Sequence, residues 1–279
     1  MASLGRSILR SRAVRGMVTK LEEKLPPLRA WHRFEYEQHF SAESRSGRMF
    51  AGVYDSREAA LRAVPAGRRV GHDHPEVADR HTAEIGRTWP SDYPVLFWMS
   101  PLLAEGVSIF DLGGNVGLHF YGFQKYLRYP ARMSWKVCEV PHVAQRGTEL
   151  ARARQADGLS FTTNLDDANG ADVLLASSVL QFMPDPWWLP LSKLRLKPQH
   201  LLINRTPLWE GPSFVTLHSL GPAVCAYQIR NRDAFVKELS ALGYLLRDSW
   251  EAPDFSCYVP FHPDHSVQAY TGMYFQLSH

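Results

Sequence analysis

A hydrophobic run over 107–112 carries an acid near its end and opens directly into glycines: Phe110-Asp111-Leu112-Gly113-Gly114-Asn115-Val116-Gly117. This stretch limits the possible folds more than any other in the 279 residues. A buried strand, a Gly-rich turn and a helix together start an α/β unit, because glycine lets the backbone turn sharply and approach a ligand closely. The spacing is GGxxG rather than the G-x-G-x-x-G of dinucleotide-binding turns. It is not a P-loop either, since no Lys-Ser/Thr pair follows Gly117.

From this point strands and helices alternate. The pattern predicts helix over 118–127, strand over 135–140, helix over 142–156, and strands over 159–163 and 172–177. A Pro-rich helix over 186–195 follows, then strand over 200–204, helix over 233–242 and closing strands near 244–251 and 270–277. Strands spaced by helices predict an α/β fold: a doubly wound, mostly parallel sheet of seven strands with helices on both faces. Residues 206–228 carry Pro207, Gly211, Pro212, Gly221 and Pro222 and read as an irregular insertion after the fifth strand. Upstream, Ser56 is positioned to cap a helix over 57–64, a second helix is expected near 76–87, and 93–105 is apolar and helical. The chain thus divides into a basic N-terminal helix (1–27, closed by Pro26-Pro27), a helical lid region (28–106) and a ligand-binding domain (107–279).

With 45% hydrophobic and 21% charged residues, the chain has the composition of a folded globular protein. No stretch approaches the roughly 18 consecutive apolar residues of a spanning helix. The formal charge of +3 is uneven: residues 1–20 hold five cations and no acid, and the remainder holds 26 cations against 28 acids. A body with that balance lacks the basic surface that nucleic acid requires. Residues 1–24 fit three readings: a helix lying on anionic lipid, a mitochondrial transit peptide, or a solvated or partner-packed helix. Three scattered cysteines (Cys138, Cys225, Cys257) form neither a disulfide framework nor a CxxC zinc site. They suit a reducing compartment, so a cytoplasmic protein is expected, with peripheral membrane contact through residues 1–24 left open. Of the twelve histidines, His72-Asp73-His74 and the His262–His265 pair lie in loops without H-E-x-x-H spacing, and no metal site is expected.

The strand, acid and glycine loop resemble those of S-adenosylmethionine-dependent methyltransferases with a Rossmann-like (class I) sheet. Glu139, at the end of the second strand, matches the acid that holds the ribose hydroxyls in that family. Ser177-Ser178-Val179-Leu180-Gln181 matches the segment lining the methyl-donor site. The resemblance implies S-adenosylmethionine as cofactor, with Asp111, Gly113, Gly114, Asn115, Gly117, Glu139, Asn164, Ser177 and Ser178 around it. Phe50-x-Gly52-x-Tyr54, the Glu-Ala helix after it, the Asp-x-Gly-Gly loop and Arg205-Thr206-Pro207-Leu208 are similar to a narrower bacterial methyltransferase family. That family is often associated with cell-surface polysaccharide gene clusters, which implies a sugar or glycan acceptor.

An oxygen acceptor needs a general base, and imidazole exchanges protons near neutral pH. His218, in the insertion on the ligand side of the strands, is the first candidate and His119, just after the glycine loop, the second. Gln181, Arg205, Tyr227 and Tyr54 are candidate acceptor contacts, and Tyr36 a candidate lid residue. Three functions compete: O-methylation of a sugar, glycan or other small molecule; N-methylation of an amino sugar or natural product; and a non-catalytic binding or scaffold protein on the same fold.

Overall fold

The computed structural model describes residues 26–42, 49–74 and 82–278. The expected basic helix over 1–24 lies outside them, as do residues 76–81 of the helix expected near 76–87, while residues 83–86 form a turn rather than the expected helix. The first described helix, α1 (Pro26–Ser41), begins at Pro26. Pro26 and Pro27 are both helical, and the helix they were expected to close lies outside the described residues.

Next come β1 (Met49–Tyr54), α2 (Arg57–Arg62), β2 (Arg69–Val70) and α3 (Tyr93–Met99). Ser56 caps α2, its hydroxyl accepting from the Ala59 N–H at 3.1 Å. The α/β alternation then runs β3 (Ser108–Leu112), α4 (Leu118–Phe123), β4 (Ser134–Cys138), α5 (Pro141–Ala153), β5 (Leu159–Thr162), β6 (Val173–Ser177), α6 (Leu189–Lys193) and β7 (His200–Thr206). It closes with α7 (Arg232–Ala241), β11 (Tyr244–Ala252) and β12 (Tyr270–Leu277).

Seven strands form the main sheet in the order β11-β12-β7-β6-β3-β4-β5. Strands β3 to β7 are parallel to one another, and β12 runs against both of its neighbours. Side chains alternate between the two faces, as the strand period requires. Ile109, Val173, Leu175 and Leu202 pack with Phe120, Phe123 and Met99 on one side. Phe110, Ala176, Leu201 and Ile203 pack with Phe235 and Leu239 on the other. A sheet covered on both faces reads as continuous apolar runs, which is the signature of parallel strands.

The segment expected to be irregular is instead strand-rich: β8 (Leu208–Trp209), β9 (Phe214–Ser219) and β10 (Ala223–Asn231). Its prolines and glycines fall in the connections, and the runs between them are covered on both faces. With β1 and β2, these strands make a second sheet in the order β1-β9-β10-β2, and β8 pairs on β10. One face of this sheet packs Val215, Leu217 and Ala226 against Phe40 of α1 and Ala60 of α2. The other brings Phe50, Phe214 and Tyr227 against Cys257, Tyr270 and Phe182 of the main domain. No helix among the described residues is long and apolar enough to cross a membrane.

Candidate active site

The strand order reverses at β3, where the chain moves to β4 and β5 on one side and to β6 and β7 on the other. In open α/β sheets, ligands bind outside the carboxyl ends of the strands at such a switch point. Three non-glycine residues with left-handed backbone lie there: Asn115 (φ 56°) after β3, Ser178 (φ 59°) after β6 and Arg205 (φ 53°) near the end of β7. Each costs of order 1–3 kcal/mol, and such strain gathers at functional sites. At Arg205 the register with β12 slips between Thr271 and Met273, a bulge that re-aims the side chain.

The glycine loop turns through Gly113 (φ 70°) and Gly117 (φ 91°) into α4. Glu139 closes against it: the Asn115 N–H donates to its Oε1 at 3.1 Å and the Val140 N–H to its Oε2 at 3.0 Å. A carboxylate can accept about four bonds, so this group suits a ligand's vicinal hydroxyls while it bonds the loop.

Asp111 points the other way. It is wholly buried, and its carboxylate accepts from the His119 Nδ1–H at 3.1 Å and the Trp135 Nε1–H at 3.1 Å. It lies where a side chain on Gly114 would stand, 2.2 Å from an ideal Cβ. Asp111 thus anchors the loop from beneath, and Gly114 is glycine because of that carboxylate.

His119 bridges Asp111 to Arg205, whose Nη2 donates to His119 Nε2 at 3.2 Å. Arg205 also donates from Nε to Ser177 Oγ at 2.9 Å, pairs with Asp92 at 3.0 Å and lies over the Phe255 ring. Asn204 donates to Asp92 at 3.2 Å and accepts from the Trp250 indole at 3.1 Å. Asp92, Asn204 and Trp250 escaped the sequence reading. Their positions carry no motif, and only the folded chain brings them together.

Ser178 lies at the strand end with its N–H on the Asn204 carbonyl. Asn164 caps the short turn after β5, its side chain accepting from the Asp166 N–H at 3.1 Å. Gln181 is buried, and its Oε1, like Thr206 Oγ1 at the end of β7, meets no hydrogen-bond partner among the described residues. A sealed orphan acceptor costs about 1–3 kcal/mol, a penalty that a ligand donor would remove.

His218 is on β9, opposite Phe50 on one side and Cys225 on the other. It stacks on Phe50 at 4.7 Å and lies 5.1 Å from the Tyr227 ring and 5.9 Å from Phe182, the residue after Gln181. The second sheet thus carries His218 and Tyr227 to the segment that follows β6. The Tyr227 hydroxyl shares a 2.7 Å bond with that of Tyr270. Tyr54 packs on the opposite face of the second sheet, with the α1 and α2 side chains, away from this group. Tyr36 donates to the Phe50 carbonyl at 2.8 Å.

Burial pushes the Cys138 and Cys225 thiols up to about 12 and Cys257 higher still, so all three are held as thiols. No group of three His, Cys, Asp or Glu residues able to hold a metal occurs among the described residues. A small apolar cavity of about 40 Å³ lies beside α6, lined by Phe110, Leu165, Leu180, Trp187 and Ile203 among others. None of the polar residues above lines it, so it is a packing void next to the site rather than the site itself.

No family model matches the sequence, and no curated protein matches it. Solved structures do match. The [4+2]-cyclase SpnF superposes with a TM-score of 0.50 at 12% identity, covering 76% of this chain and 99% of that one. A chain from the complex between the Haloferax volcanii Trm112 methyltransferase activator and a methyltransferase also gives 0.50, at 15% identity, covering 75% and 98%. Magnesium protoporphyrin IX methyltransferase (ChlM) from Synechocystis PCC 6803, with bound S-adenosylmethionine, gives 0.47 at 13% identity, covering 74% and 85%. The chain has the class I, Rossmann-like methyltransferase fold, with a second sheet built from its N-terminal region and the insertion after β7.

Proposed function

We propose that the chain is an S-adenosylmethionine-dependent methyltransferase acting on a small-molecule or glycan hydroxyl. One observation carries the reading. At the switch point, the glycine loop and the Glu139 carboxylate are bonded into one unit, beside two further left-handed strand ends. The residues present fit the cofactor: a turn that brings backbone close, a fixed acceptor for a ribose diol, and buried polar atoms short of a donor. In this reading Gly113–Gly117, Glu139, Asn164, Ser177 and Ser178 surround the cofactor. When bound, the cofactor supplies an activated methyl group, and the protein's own residues align the acceptor and remove its proton.

The acceptor site in this reading lies between the segment after β6 and the inner face of the second sheet, among Gln181, Phe182, Tyr227 and His218. His218 is the proposed base. Both ring nitrogens of His119 are engaged in the Asp111–Arg205 bridge, which favours His218 over it. A sugar hydroxyl is the proposed acceptor atom, on the sequence resemblance alone.

Calorimetry with S-adenosylhomocysteine tests the cofactor site. Glu139→Ala is expected to weaken binding by about 1.5–3 kcal/mol, as for hydrogen bonds to a charged group. Absence of binding by the wild-type chain would overturn the reading. His218→Ala is expected to lower turnover on the true acceptor by about 10²–10⁴-fold with cofactor affinity retained. Normal turnover in that variant would reject His218 as base.

A further inference from the structure

Arg205 is almost fully buried and stands at a bulge, with left-handed backbone. Its guanidinium holds three groups from three different parts of the chain. They are Ser177 Oγ at the end of β6, His119 Nε2 in the first turn after the glycine loop, and Asp92 Oδ1 ahead of α3. A guanidinium has five donors and no acceptor, so His119 Nε2 accepts from it. His119 Nδ1 faces the Asp111 carboxylate at 3.1 Å from both oxygens, so that nitrogen carries the hydrogen. The imidazole is thereby fixed as the neutral Nδ1–H tautomer, because a proton on Nε2 would face the N–H groups of Arg205.

We infer that Arg205 is a positioning residue. Through His119 and Ser177 it holds the loop after β3 and the loop after β6 in one register, tied by Asp92 to the segment before β3. This rests on the reading of those two loops as the walls of the cofactor site. The bulge and the left-handed backbone serve this purpose: they turn a strand residue inward so that one planar fork meets all three partners. A lysine at 205 offers a point charge on a flexible stem and cannot satisfy them together.

Two measurements on the full chain test the inference. Long-range proton–nitrogen NMR on ¹⁵N-histidine protein, with His119 assigned by comparison with His119→Gln, is expected to show the Nδ1–H tautomer at neutral pH. Calorimetry with S-adenosylhomocysteine is expected to show at least ~10-fold weaker binding for folded Arg205→Lys, the scale of losing charged hydrogen bonds. The His119 signature should be lost in the same variant. A residue with only a structural role would lower the melting temperature and leave both readouts unchanged. If Arg205→Lys does not fold, Ser177→Ala removes one of the three bonds and should still weaken binding several-fold. A wild-type His119 with its hydrogen on Nε2 overturns the inference. So does a folded Arg205→Lys, or in its place Ser177→Ala, that binds as tightly as wild type. Failure of the wild-type chain to bind S-adenosylhomocysteine sinks the cofactor reading and the register inference with it, whereas wild-type binding unchanged in the variants sinks the inference alone.

Discussion

Asp111 and Glu139 end neighbouring strands, yet their carboxylates do different work. Asp111 accepts from His119 and Trp135 under the loop, and Glu139 accepts from the loop's own backbone. The division follows from depth along the strands: Asp111 lies within β3, in register with Val137, whereas Glu139 stands two positions further on, just past the end of β4 and level with the loop. Gly114 depends directly on it. An alanine there would set its Cβ 2.2 Å from one Asp111 oxygen and 2.8 Å from the other. Gly114→Ala is expected to destabilise the fold by about 1–3 kcal/mol, as overpacking does. Urea unfolding measures this, and an unchanged midpoint would show that Asp111 can move aside. Cofactor affinity is expected to fall with it, because relocating Asp111 releases His119.

The second sheet grips the main domain at the segment after β6. From β10, Arg230 donates to the Leu180 and Met183 carbonyls at 2.8 and 3.1 Å and to Asp185 at 2.7 Å. Arg57 of α2 donates to the Phe182 carbonyl at 3.0 Å. Arg230 from the added sheet and Arg57 from α2 therefore hold the stretch that carries Gln181 and Phe182. Arg230→Ala removes the charged donor shared by the Leu180 and Met183 carbonyls and by Asp185. The expected loss is about 1.5–3 kcal/mol of stability, read by chemical denaturation. In kinetics on a true acceptor, the KM for the acceptor should rise more than the cofactor's Kd does. An equal effect on both would mean that the segment does not separate the two sites.

At the scale of the whole molecule, two partly buried histidines link stability to pH. Burial holds His200, which shares a 2.8 Å bond with the Tyr274 hydroxyl, below the ordinary 6.5. Burial, with His265, Arg33 and Arg29 nearby, does the same for His262. For a lowered histidine, the unfolded chain binds more protons than the folded one between the folded value and 6.5. Stability therefore rises with pH through that window and is lost as pH falls below about 6.5. Scanning calorimetry is expected to show a lower Tm at pH 5.5 than at pH 7.5, with a smaller difference in His200→Gln. A variant with the full wild-type difference would clear His200 of any part in it.

Local order explains what the sequence determined alone. The closing strand, β12, falls on the range the sequence predicts, and β3 and the glycine turn are legible because strand period and turn chemistry act over a few residues. Ser56 could be read as a cap for the same reason. Only the tertiary structure decided that 206–228 is strand, since β9 needs β1 beside it, Phe50 against His218, and no local pattern announces a partner so far away. The same holds for the direction of Asp111 and for the joining of Asp92, His119, Ser177 and Arg205. A buried charge is tolerated only where partners converge on it, and in this chain those partners come from separate turns of the fold.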